Sequence, residues 1–76
     1  MIVYFYDLKT SLKEYNKIKR RFYYYLKKND LNKYFWKTKS ALVVPEDLER
    51  SVDGFFKNFK KTTIVYKIHC QEIEEL

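Results

Sequence analysis

Residues 2–6, IVYFY, are apolar or aromatic at every position. Successive side chains of a strand point to opposite sides, so both sides of this segment avoid water. Such a strand belongs in the middle of a sheet that is covered on both sides. That demand is heavy for 76 residues, because a chain of this size hides only about 60–65% of its unfolded surface. Disulfides cannot supply the missing stability, since Cys70 is the only cysteine, and His69, the only histidine, completes no zinc spacing. Aromatic side chains are the compensation: eight Tyr, six Phe and one Trp make up 20% of the residues, and each buries a large area. Their surplus apolar surface predicts a second copy as partner.

The rest of the chain follows the same logic. Ser11 and Glu14 have the spacing of a capping box, which predicts a helix from there to about Lys28. At 100° per residue, Leu12, Tyr15, Ile18, Phe22, Tyr23, Tyr25 and Leu26 share one face, with Lys19 snorkelling at its edge. Asn29 is the expected left-handed stop before Asp30. Residues 34–44 read as extended, as one strand or as two with a kink near Lys39. Pro45 predicts the start of a second helix, with Glu46 and Asp47 suiting its first turn. Its stripe is Leu48, Val52, Phe55, Phe56 and Phe59, and Gly54 within it permits close contact with a sheet. Residues 62–70 alternate Ile64, Tyr66 and Ile68 against Val65, Lys67 and His69. The acidic residues 71–76 either fray or add a short strand. One α+β domain over residues 1–76 results, with the split βαβ, ferredoxin-like plan: an antiparallel sheet with two helices on one face. The helix-free side is expected to be covered by the second copy.

Charge is distributed unevenly. Residues 1–45 carry eleven Lys and Arg against three acids, a net of +8, and residues 46–76 carry five against seven, a net of −2, giving the chain's +6. A basic half of this kind points to a polyanion. The exposed face of the first helix holds Lys13, Lys17, Arg20, Arg21, Lys27 and Lys28, with Tyr24 in their midst. A ring among cations can stack on a base while the cations hold phosphates, or can pack against their stems. Lys37 and Lys39 extend the basic surface or guard a sheet edge.

Asp7 is the carboxylate at the exit of the first strand, where it either opens a turn or ligates a metal ion. Mg²⁺ takes several oxygens, so two copies of Asp7 across a dimer axis make a better site than one. His69, beside Lys67 on the last strand, has no Asp partner nearby in sequence and is at most a candidate general base, and Cys70 lacks an activator. No glycine-rich phosphate loop is present, which removes nucleoside-triphosphate chemistry. The N-terminal apolar run is too short for a secretory signal, and no stretch reaches the ~20 apolar residues of a membrane span. With the lone thiol, these features predict a cytoplasmic protein without a membrane partner.

An apolar strand ending in Tyr6 and Asp7, followed by an amphipathic basic helix, resembles the small CRISPR-associated adaptor and endoribonuclease family (Cas two), and the VapD toxin ribonucleases share its plan. Ser40, Ala41, Leu42 and Val43 resemble the Ser and apolar run of that family's middle strand. The resemblance implies a ferredoxin-like homodimer that meets nucleic acid, RNA or DNA, through its helices. It also implies a catalytic site of Asp7 and Ser40, with Mg²⁺ held by Asp7 at the dimer axis. Members of the family also bridge DNA without cleaving it, so the resemblance admits both a metal-dependent endonuclease and a scaffold. The competing expectation is a small protein-interaction module, of the viral or mobile-element type, that docks a partner on its aromatic sheet face.

Overall fold

The computed structural model describes residues 1–9 and 13–76. In chain order the elements are β1 (Ile2–Leu8), α1 (Tyr15–Lys28), a 3₁₀ turn (Leu31–Tyr34), β2 (Phe35–Trp36), β3 (Thr38–Val44), a second 3₁₀ turn (Glu46–Leu48), α2 (Glu49–Lys57) and β4 (Thr63–His69). The four strands form one sheet in the order β2-β3-β1-β4, and every neighbouring pair is antiparallel. This is the α+β split βαβ plan, and β1 holds the central place that its two apolar sides require. None of the described helices is long and apolar enough to cross a membrane.

Residues directly opposite each other in an antiparallel pair share a side of the sheet. Ile2, Tyr4, Tyr6 and Leu8 therefore face one way, together with Leu42 and Val44 of β3, and all are buried. Both helices cover this side. Phe22 of α1 lies 5.5 Å from the Tyr6 ring, and Phe56 of α2 lies 5.2 Å from Tyr6 and 5.3 Å from Tyr4. Phe22 is fully buried and also meets Phe55 and Phe59, at 5.6 and 5.2 Å. A core built on ring-to-ring contacts lets few residues fill a large volume.

Several local expectations are corrected. The helix α1 begins at Tyr15, and Glu14 precedes it in the left-handed region (φ 62°) without a side-chain cap bond. Glu14 thus stands at the N-cap rather than in the first turn, and the expected capping box falls on Ser11, which with Leu12 lies outside the described residues. The left-handed stop falls on Asp30 (φ 60°), not Asn29. Asn29 caps differently, donating from Nδ2 to the Tyr25 carbonyl at 2.7 Å. The break within residues 34–44 is at Lys37, also left-handed (φ 66°). The chain leaves Pro45 through a 3₁₀ turn before α2 begins at Glu49. A Cβ on Gly54 would meet nothing within 4 Å, so this glycine serves no close approach.

Residues 70–76 add no strand. Glu75 Oε1 lies 3.4 Å from Lys37 Nζ, which carries the tail from the β4 edge towards the β2–β3 turn, with Ile73 half-buried along the way. On the helix-free side Val3 and Ala41 are buried, whereas Phe5 is exposed.

Candidate nucleic-acid interface

The exposed surface of α1 carries Lys17, Arg20, Arg21, Tyr24, Lys27 and Lys28, and Lys13 is exposed in the preceding turn. Among the described residues none of these cations forms a salt bridge; the ion pairs present involve Met1, Lys37, Lys67 and His69. Lys27 and Lys28 occupy the last turn of α1, where the helix dipole favours positive charge.

Tyr25, next to Tyr24, also sits among these cations. Arg21 Cζ and Lys28 Nζ lie 5.9 and 5.8 Å from the Tyr25 centroid, within cation–π range. Tyr24 stands edge-on to Tyr25 at 5.1 Å and is 60% exposed. Tyr24 thus has a ring free to stack, and Tyr25 braces the cations beside it.

Two grooves flank α1. One, of about 670 Å³, runs between α1 and the connection from α2 to β4; Arg21, Lys57, Lys60 and Lys61 supply all its charge, beside Tyr25 and Phe59. The other, of about 1060 Å³, lies towards β3; its charged residues are Lys19, Arg20, Lys27 and Lys39, beside Tyr23 and Phe35. Neither groove contains a carboxylate. The Tyr6 and Tyr23 hydroxyls both donate to the Lys39 carbonyl, which fixes the backbone of β3 against α1. Burial pushes both hydroxyls' pKa values up, so they remain donors. Lys37 is separate from both grooves and pairs with Glu75, an exposed contact worth at most about 1 kcal/mol.

Sequence order hid Lys57, Lys60 and Lys61, because they belong to the half with a net charge of −2. Folding separates them from the acids of that half. Glu49 and Asp53 stand one to two turns earlier on α2, where both bind Lys67 Nζ, at 2.7 and 2.8 Å. Glu49 also meets His69 Nε2 at 2.6 Å, and Asp53 accepts from the Tyr4 hydroxyl at 2.7 Å. Hydrogen bonds from Lys67 and His69 hold the Glu49 carboxyl below its usual range. Burial raises Asp53, but Lys67 and Tyr4 outweigh it and hold that carboxyl low as well. The same contacts, Asp53 first, raise Lys67. His69 therefore has a carboxylate partner, supplied by α2 and invisible from its sequence neighbours.

Asp7 is exposed and pairs with Ile64 across β1–β4, on the helix-free side. Ala41 shares that side through Phe5, so Ser40, the next residue along β3, alternates to the other. Asp7 and Ser40 thus leave the sheet from opposite sides. Among the described residues no group of three His, Cys, Asp or Glu side chains could hold a metal ion. The chain supplies one carboxylate at Asp7, short of the octahedral oxygen set that Mg²⁺ takes. No protein-family model matches the chain, and no curated protein or solved structure matches it.

Proposed function

We propose that this protein binds nucleic acid, with α1 as a ridge between two cationic grooves and the phosphates running along them. The observation that carries the reading is the pair of grooves, each with four Lys or Arg, no carboxylate and at least two aromatic rings. A surface cation without an acidic partner gains most from a phosphate, because it has no ion pair to break and its binding releases counterions. Tyr24 adds a stacking surface that tolerates any base. The reading is one of binding in a cytoplasmic setting. Asp7 lies outside it, and a Mg²⁺ ion there, as the resemblance implies, would need further ligands from beyond this chain.

Fluorescence anisotropy with labelled RNA and DNA oligonucleotides at two salt concentrations tests it. The expected result is binding that weakens steeply with salt. The Arg20→Ala, Arg21→Ala, Tyr24→Ala triple variant should bind less tightly and with a shallower salt slope. An unchanged slope would take α1 out of the interface, and no binding at low salt would end the proposal.

A further inference from the structure

The strand β4 lies at the edge of the sheet and pairs only with β1. It is regular over seven residues, without proline or bulge. Edge strands are ordinarily guarded by charge or distortion. Here the guard is missing on the helix-free side, where Ile64, Tyr66 and Ile68 are 47%, 68% and 48% exposed. Lys67, the cation of this strand, is turned to the other side and engaged by Glu49 and Asp53.

We propose that β4 pairs antiparallel with β4 of a second copy of this chain, with the twofold axis at Tyr66, so that the two sheets become one of eight strands. This goes beyond the nucleic-acid reading and does not depend on it. Charge selects the direction. Lys60 precedes β4 and Glu72 follows it, and a twofold axis at Tyr66 brings these two positions level across the two strands, whereas Glu75 is held at Lys37 beyond the opposite edge of the sheet. Antiparallel pairing sets the basic end of each strand beside the acidic end of the other, twice by symmetry, whereas parallel pairing sets like beside like.

Side-chain chemistry selects the register. With the axis at Tyr66, that ring meets its own counterpart, and Ile64 meets Ile68 of the partner subunit. On the helix side, Lys67 falls opposite the partner's Val65, and His69 opposite the partner's Thr63. An axis at Lys67 would oppose two ammonium groups. Directly opposed like charges destabilise a sheet, whereas aromatic and β-branched pairs stabilise it. Second-copy contact thus concentrates at this edge and does not spread over the whole helix-free side. The two Asp7 carboxylates then lie about 20 Å apart by strand spacing and rise, too far to share one ion.

The test is the solution mass of the full chain without nucleic acid, followed by cysteine crosslinking in a Cys70→Ser background. The expected mass is twice the 9.5 kDa chain. Tyr66→Cys should form an intermolecular disulfide readily, because opposed residues in antiparallel strands lie within disulfide reach. Single Ile64→Cys and Ile68→Cys variants, each facing the other position, should crosslink poorly. Ile64→Lys, at a side chain that is already exposed, should shift the mass towards the monomer. A wild-type mass of one chain at every concentration overturns the proposal, and so does a dimer whose Tyr66→Cys variant, folded by circular dichroism, does not crosslink. Both results leave the nucleic-acid reading standing.

Discussion

Glycine and the left-handed backbone positions are in the wrong places for each other. The one glycine, Gly54, sits inside α2 where a Cβ would touch nothing. Among the described residues three with side chains, Glu14, Asp30 and Lys37, take positive φ instead, at a cost of roughly 1–2 kcal/mol each for an ordinary L-residue. Asp tolerates this region better than Glu or Lys does. Two opposite substitutions should therefore both stabilise the fold. Gly54→Ala should add about 0.5–1 kcal/mol by removing unfolded-state freedom and raising helix propensity. Lys37→Gly should add up to about 1 kcal/mol by relieving the turn between β2 and β3. Urea unfolding checks both: a loss at Gly54→Ala would mean that the open space at that position is occupied, and a loss at Lys37→Gly would mean that its side chain contributes more than its backbone costs.

At the scale of elements, the polar side of β4 acts as the clamp that holds α2. Glu49 and Asp53 titrate lower in the folded chain than in the unfolded one, so their contribution is present above the unfolded carboxylate range, about pH 4, and fades as pH falls below it. Lys67 titrates higher in the folded chain, so its contribution is present below its unfolded value of about 10.4 and fades as pH rises past the folded one. Stability should thus hold through neutral pH and decline at both extremes, and Glu49→Gln should flatten the acid side of the profile. A variant whose acid limb matches the wild type would show that the clamp contributes nothing. The elements themselves were legible in the sequence because periodicity is local: the faces of α1 and β1 follow from spacing alone. Their ends were less so. The start of α1 and the break at Lys37 depend on backbone conformations that carry no glycine signature, and the His69–Glu49 pair depends on where α2 docks.

For the whole molecule, what matters is how charge is arranged in space. The basic first half and the acidic second half of the chain do not survive as separate regions after folding. Lys57, Lys60 and Lys61 join Arg21 in one groove, while Glu49 and Asp53 are engaged by Lys67 on β4. Half of the candidate interface, the exposed face of α1, could be read from the sequence, because those cations recur at helical spacing. The other half could not, since only the packing of the α2–β4 connection beside α1 creates it. The most direct test of the account is the salt dependence of nucleic-acid affinity for the wild type and for the Lys57→Gln, Lys60→Gln, Lys61→Gln variant. Each lost phosphate contact should lower the slope of log affinity against log salt by about 0.7–0.9, so the account predicts a drop of roughly 2 or more; a slope equal to the wild type's would contradict it.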